Sequence, residues 1–388
     1  MAEPKVIISP RGVRRVEAGH PWIYRSDVLT AQATGGDVVQ VATERGRFVG
    51  RAFYSDRSQI ALRLLTREEE TVDRAFFLGR IQQSASRRSV WVSDTEVFRV
   101  VFSEGDLFPS LIVDRYGDIL VIQTLSQGTE RLKSDIVNIL VELFSPAGIL
   151  ERNDPRSRLH EGLPQTVSVL HGDVPASIVA AMNGLRFEFD LFAGQKTGAF
   201  LDQRENYRAA RTYATGDALD CFTYNGAFAV HIADRCTSVE AIDLSPPAID
   251  RARRNQALNS IRNLEFRSAN AFDALRAFDD AGRRFDTIIL DPPAFAKDKH
   301  SLPAALRGYK EINLRSLKLL RPGGYLITCT CSHHVSEALF LQTLAQAAID
   351  AGRQVCVVER RTQSKDHPIS MTIPETLYLK ALILHVLK

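Results

Sequence analysis

Several ingredients are scarce or missing in this 388-residue chain. It has five cysteines (Cys221, Cys236, Cys329, Cys331 and Cys356), an odd number without zinc-finger spacing. That argues against a disulfide framework or a metal site and suits a reducing, cytoplasmic compartment. No apolar run approaches the ~18 residues a membrane span needs. The segment Met1 to Val16 is charged throughout and lacks an apolar h-region, so neither a membrane partner nor a secretion signal is expected. No internal repeat or low-complexity tract is visible. With 45% hydrophobic and 24% charged residues the composition is that of an ordinary globular protein. Its length is more than one compact core holds, so two or three domains are expected.

Net charge is low too, only +3, but it is unevenly placed. Residues 1–63 hold ten Lys and Arg, nine of them arginine, against six Asp and Glu, and the remainder is close to neutral. This segment reads as short strands around Lys5–Ile8, Asp37–Val41, Arg47–Tyr54 and Gln59–Leu65, punctuated by turns such as Thr34-Gly-Gly. Between the first two strands, Arg11, Arg14 and Arg15 stand close to Trp22 and Tyr24. Guanidinium forks suit phosphate, and flat rings suit base stacking. On charge alone a solvated basic face is an equal alternative. Residues 67–93 read as a helical linker. A strand-strand-helix-strand unit follows to about residue 184, with no catalytic constellation, and is read as a spacer.

From about Leu185 strands alternate with helices: Ala218–Cys221, Val239–Asp243, Leu264–Arg267, Thr287–Asp291, Tyr325–Cys331 and Gln354–Val358. The alternation implies a doubly wound parallel α/β sheet, with Leu377–His385 closing one edge. Ligands of such sheets bind at the carboxyl ends of the strands. The first strand runs into Asp220-Cys-Phe-Thr-Tyr-Asn-Gly226, which is not the GxGxxG of a dinucleotide fold, although its glycine would let backbone approach a ligand. The second ends at Asp243, where a carboxylate can hold both ribose hydroxyls, and Ser245 with Pro246 reads as a helix start. Asn270 follows the third strand. The fourth ends Asp291-Pro292-Pro293-Ala-Phe295, a stiff extended turn that would present Asp291 to a planar base and leave Phe295 to pack on it. The fifth ends Cys329-Thr-Cys331-Ser-His-His. Cys331 stands nearest the following helix, whose N-terminus favours a thiolate, and Cys329 reads as a buried structural thiol. His333 and His334 have no ligand spacing around them and read as surface residues.

These runs together resemble one family. Gly194-Gln-Lys-Thr-Gly-Ala-Phe-Leu-Asp-Gln203-Arg204, the Asp220 to Gly226 loop, Asp291-Pro-Pro-Ala-Phe, Arg307-Gly-Tyr-Lys-Glu-Ile-Asn, Cys331-Ser, Asp366-His-Pro and Pro374-Glu-Thr-Leu-Tyr-Leu-Lys are similar to the ribosomal RNA large subunit methyltransferase I group. The resemblance covers the whole chain, most strongly from Gly194. It implies a PUA-like RNA-binding domain at 1–70, a linker and α+β middle domain at 71–184, and a Rossmann-like class I methyltransferase domain at 185–388. It implies S-adenosyl-L-methionine as cofactor, held by Asp220, Phe222, Asn225, Gly226, Asp243, Asn270, Gln203 and Arg204. It also implies cytosine-C5 methylation of 23S rRNA or a large-subunit assembly intermediate, with Cys331 as nucleophile and Asp291 at the base edge. Pro292, Pro293, Phe295 and the Arg11, Arg14, Arg15, Trp22, Tyr24 cluster would meet the RNA. Asn270 stands where an Asp is common in that family, and His333 where many relatives have Gly. Two alternatives stay open, an amino-directed rRNA methyltransferase using the Asp-Pro-Pro turn and a non-catalytic assembly factor. A homodimer is also left open.

Overall fold

The computed structural model describes residues 3–296, 298 and 300–388. The chain forms two compact units, one of residues 1–182, 189–201 and 365–376, the other of residues 183–188, 202–364 and 377–388.

The first unit opens with a six-stranded sheet built from β1 (Lys5–Ile8), β2 (Trp22–Tyr24), β3 (Val28–Gln32), β4 (Val38–Thr43), β5 (Phe48–Tyr54) and β6 (Ile60–Thr66), in the order β2-β6-β5-β4-β1-β3. Between β1 and β2 the arginine-rich stretch is a helix, α1 (Pro10–Glu17). Ser9 caps it by accepting from the Gly12 amide, and Pro10 occupies the first turn, where its missing N–H costs nothing. Val13 and Val16 face the core, which leaves Arg11 and Arg14 exposed. Helix α2 (Arg74–Trp91) then precedes β7 (Val97–Phe102), β8 (Leu111–Tyr116), β9 (Ile119–Thr124), α3 (Gln127–Arg131), α4 (Lys133–Phe144), β10 (Gly148–Asn153) and β11 (Thr166–Gly172). These strands form a second sheet in the order β11-β10-β9-β8-β7. One apolar cluster joins Phe53 and Leu65 of the first sheet to Phe77 and Ile81 of α2 and to Val101, Leu111 and Leu120 of the second. The segment read as a linker is therefore the filling between two sheets. Arg88 of α2 is fully buried, held by Asp106 and by the carbonyls of Arg99 and Asp366.

The hairpin of β12 (Ser177–Met182) and β13 (Leu185–Asp190) lies where the chain passes from one unit to the other. In the second unit, α5 (Arg204–Tyr213) leads into β14 (Asp217–Cys221), α6 (Ala227–Ile232), β15 (Ser238–Asp243), α7 (Pro246–Leu258), β16 (Leu264–Ser268), α8 (Ala271–Asp280), β17 (Phe285–Leu290), α9 (Leu302–Leu319), β18 (Leu320–Thr330), α10 (Glu337–Asp350), β19 (Val355–Arg361) and β20 (Lys380–Val386). The sheet order is β16-β15-β14-β17-β18-β20-β19, parallel except where β20 runs antiparallel to both neighbours. This is the doubly wound, mostly parallel α/β sheet expected, with one difference. The last strand does not close an edge: it inserts between β18 and β19. Its run Lys-Ala-Leu-Ile-Leu-His-Val is buried at six of seven positions, as an interior strand must be, whereas β19 is half exposed and makes the edge.

Candidate active site

Strand order reverses between β14 and β17, so their carboxyl ends open the crevice where ligands of such sheets bind. Cys221 pairs with Leu290 across this point, which sets Asp220 of β14 beside the strand that Asp291 follows. Asp220 is fully buried. Its Oδ2 accepts from Thr223 Oγ1 (2.6 Å) and the Ala229 amide (3.1 Å), while Oδ1 has no partner. Burial, reinforced by the charges of Asp291 and Asp243, pushes its carboxyl up to about 7. The loop beyond it is contorted, with Phe222, Tyr224 and Gly226 all in left-handed backbone. At Gly226 a Cβ would meet Phe266 Cζ at 2.8 Å and Ala252 Cβ at 3.1 Å. The glycine thus serves close packing of this loop on α7 and β16, a tighter reason than ligand approach. Asn225 is buried and its carbonyl accepts from Asn255.

Asp243 ends β15. Its Oδ2 accepts from the Tyr224 amide and its Oδ1 from the Ser245 amide, both at 2.9 Å. Each oxygen keeps a further lone pair, so the carboxylate is aimed by two backbone groups and retains capacity for a diol. Ser245 does sit at the start of α7 with Pro246 after it, but its side chain makes no capping bond. Asn270 caps α8, its Oδ1 accepting from the amides of Phe272 and Asp273. Only its NH2 remains to meet an adenine edge.

Gln203 and Arg204 are both buried. Gln203 donates to Asp291 Oδ1 (2.9 Å) and accepts from Asn206 (2.6 Å), so its amide orients Asp291. Arg204 reaches Glu205 at 3.7 Å, and its carbonyl accepts from Asn183. Gln203 is thus engaged by Asp291 and Asn206, while Arg204 lies buried beside it.

After β17 the extended turn carries half-buried Asp291, buried Pro292 and exposed Pro293. Phe295 is less available than its sequence position suggests. Its ring lies 4.6 Å from that of Tyr309 and 5.9 Å from that of Phe272, so it wedges the turn onto α8 and α9. Tyr309 continues the tie. Its hydroxyl accepts from Thr330 Oγ1 and bonds Ser332 Oγ, both at 2.8 Å, and Ser332 Oγ accepts from the Ala296 amide (3.3 Å). These bonds fasten the Asp-Pro-Pro turn to the two residues flanking Cys331. Cys331 itself is half-buried, one residue past the end of β18, whereas Cys329 is fully buried. Burial, with Asp291 next in effect, pushes the Cys329 thiol well up. Helix α10 begins only at Glu337, with its own Ser336 cap and an acid in its first turn, so its positive end is largely met within the helix itself. A cation does lie close by: the Lys380 ammonium donates to the carbonyl of Ser332, the residue after Cys331. Nothing marks a lysine inside an apolar strand as a partner of a cysteine fifty positions earlier. Tyr309 and Ser332 likewise carried no signal beyond lying in the family-like runs.

The arginine and aromatic cluster in the first unit is partly committed. Arg11 donates to Asp27 (2.6 Å) and Ser26 (2.7 Å), Arg15 stacks its guanidinium 4.6 Å over the Tyr24 ring, and Trp22 Nε1 donates to Glu104 (2.9 Å). Arg14 is exposed on the outer side of α1. Among the described residues no group of His, Cys, Asp and Glu could hold a metal ion, and no helix is long and apolar enough to cross a membrane.

Comparison with known proteins adds an independent line. Residues 6–67 match the PUA-like domain family, and residues 164–384 match the S-adenosylmethionine-dependent methyltransferase family. The ribosomal RNA large subunit methyltransferase I of Shewanella amazonensis is 38% identical over 392 residues, covering 98% of this chain and 99% of that protein. The protein of the same name from Tolumonas auensis is 38% identical over 379 residues, covering 95% of this chain and 96% of that protein. A solved methyltransferase complexed with SAH superposes with a TM-score of 0.85 at 20% identity, covering 98% of this chain and 99% of that one. A SAM-dependent methyltransferase from Streptococcus mutans gives 0.81 at 19% identity, with the same coverage. At those identities the two structures speak for the fold.

Proposed function

Since the chain belongs to the ribosomal RNA large subunit methyltransferase I family and is an S-adenosylmethionine-dependent methyltransferase, we propose that it methylates carbon 5 of a cytosine in large-subunit ribosomal RNA, with Cys331 as the nucleophile. The observation that carries this reading is the placement of Cys331. It is a half-buried thiol at the end of β18, beside the Asp291 turn and tied to it through Tyr309 and Ser332. An amine could attack a methyl donor directly and would need no thiol here.

The residues present fit the cofactor. The unpartnered Oδ1 of buried Asp220 suits the ammonium of the methionine moiety, Asp243 suits the ribose diol, and the Asn270 NH2 suits the adenine ring. When bound, the cofactor supplies an electrophilic methyl group. Cytosine carbon 5 is too poor a nucleophile to take it unaided. Addition of the Cys331 sulfur to carbon 6 forms an S–C6 bond and moves the C5–C6 π pair toward N3, leaving an enamine nucleophilic at carbon 5. Asp291, aimed by Gln203, accepts from the 4-amino group and holds a proton against N3, which takes it up as negative charge develops there and returns it when the thiolate leaves. Carbon 5 then gains the methyl. Loss of the carbon 5 proton re-forms the C5–C6 double bond and expels the thiolate. The exposed Arg14 side of α1 is the candidate surface for backbone phosphate.

The test uses RNA carrying 5-fluorocytosine at the target. Fluorine cannot leave as a proton does, so wild type should form a covalent protein–RNA complex, and Cys331→Ala should form none while still binding S-adenosylmethionine. Trapping that persists in Cys331→Ala would move the nucleophile to Cys329. No trapping in wild type, with the methyl found on an exocyclic nitrogen, would sink the carbon 5 assignment.

A further inference from the structure

Lys380 opens β20 opposite Thr330 of β18, one residue from Cys331, and it is buried. A buried lysine needs acceptors, and it has two carbonyls, Ser332 at 3.3 Å and Tyr378 at 3.2 Å. An ammonium has three N–H donors, so two carbonyls do not exhaust it. The charges that act on it are those of Cys331 and, from α10, Glu337, while burial holds its ammonium below the usual lysine range. Around Cys331 the other titratable groups described are Tyr309 from α9, Cys329 two residues back in β18, Asp291 after β17, whose negative charge opposes a thiolate, and His333 and His334 in the following turn. None of these supplies a fixed positive charge. Among these described groups Lys380 is the one that carries a fixed positive charge.

We propose that Lys380 sets the protonation state of Cys331: its amine takes the Sγ proton, and the resulting ammonium stays beside the sulfur as counter-ion. One S–H bond breaks and one N–H bond forms, with no net change in charge. The geometry explains why the pair works. Burial disfavours an ammonium and a thiolate alike, so each charge stabilises the other. The carbonyls of Ser332 and Tyr378 fix the nitrogen, and Tyr309 fixes the segment that carries the sulfur. Lys380 acts through the thiol and is a positioning residue. Its catalytic meaning rests on the reading of Cys331 as nucleophile, but the proton transfer can be measured without any turnover.

The experiment follows the alkylation of Cys331 by iodoacetamide in the full chain, without cofactor or RNA, from pH 5 to 10. Fragment mass spectrometry separates Cys331 from Cys329. In wild type the midpoint should lie at least about one pH unit below the ~8.5 of a free cysteine. Lys380→Met should raise the midpoint and slow alkylation at pH 7 about tenfold, and Lys380→Arg, which keeps the charge, should restore most of it. An unchanged midpoint in folded Lys380→Met overturns the proposal. So does a wild-type midpoint at or above 8.5, which decides the matter even if the methionine variant fails to fold. The 5-fluorocytosine experiment reads the nucleophile separately. An acidified Cys331 with no trapping leaves the ion pair standing and removes the catalytic reading, and trapping without acidification does the reverse.

Discussion

Three carboxylates, Asp220, Asp243 and Asp291, crowd the ends of three neighbouring strands, and the deepest of them bears the cost. The Asp220 carboxyl is raised to about 7 from an ordinary value near 4, so its neutral form is the one the fold prefers. A carboxyl raised in this way adds stability at low pH, and that stability is lost as pH rises through 7. Asp220→Asn should therefore raise the melting midpoint at pH 8, leave it unchanged at pH 4, and weaken S-adenosylmethionine binding at least tenfold. Scanning calorimetry and titration at the two pH values check this, and equal affinity in the folded variant would remove Asp220 from the cofactor site. His231 has the opposite sign. Buried, with Nδ1 on the Ala227 carbonyl and Nε2 on Asn183, it is held down to about 4. The unfolded chain then binds the extra proton between pH 6.5 and 4, and stability falls as pH drops through that window. Acid positions at strand ends are legible in a sequence, because the period-two strand and its following turn fix where they emerge. Gln203, Tyr309, Ser332 and Lys380 are not legible in this way. Their roles exist only once α5, α9 and β20 have packed on the sheet.

At the level of elements, α1 is where a sequence reading most needed the structure. Three arginines and two aromatics looked like one recognition surface, but Arg11 belongs to Asp27 and Trp22 to Glu104. Arg14→Glu should lower RNA affinity and reduce its salt slope by about one, with no change in melting temperature. Arg11→Ala, by contrast, should cost stability, because buried Asp27 loses its charged partner. Equal losses of RNA affinity with no loss of stability in either variant would restore the original cluster. In the second unit the tight loop before α6 makes Gly226→Ala costly. Positive φ and the 2.8 Å approach of Phe266 should together remove about 1–3 kcal/mol, read from denaturant midpoints. The strands of the second unit were largely visible beforehand because they are apolar, short and bounded by turns. The place of β20 in the sheet was not, since sequence order says nothing of spatial order. Its unbroken apolar run was the available sign that it lay inside.

For the molecule as a whole, the N-terminal basic segment cannot simply be cut away. Phe53 stacks with Phe77 of α2 and covers Gly128 of α3, and Arg63 forms a buried ion pair with Glu161. Removing residues 1–63 should strip one side from the core shared by the two sheets of the first unit. The truncated protein should be protease-sensitive, with its first unit no longer melting cooperatively, and wild-type melting would show that core to be dispensable. The insertion of β20 reaches further, into how the protein is made. On the ribosome β18 emerges about fifty residues before β20, the strand that will lie beside it, and β19 emerges before the neighbour it pairs with in the finished sheet. Through that interval the nascent chain shows the open edge of β18, a template for wrong strand pairing. Cys331 is by then already synthesised, but Lys380 is not. On the proposed Lys380–Cys331 pairing, the thiol lacks its counter-ion until the last strand slots in, so an unfinished chain would carry no primed thiolate.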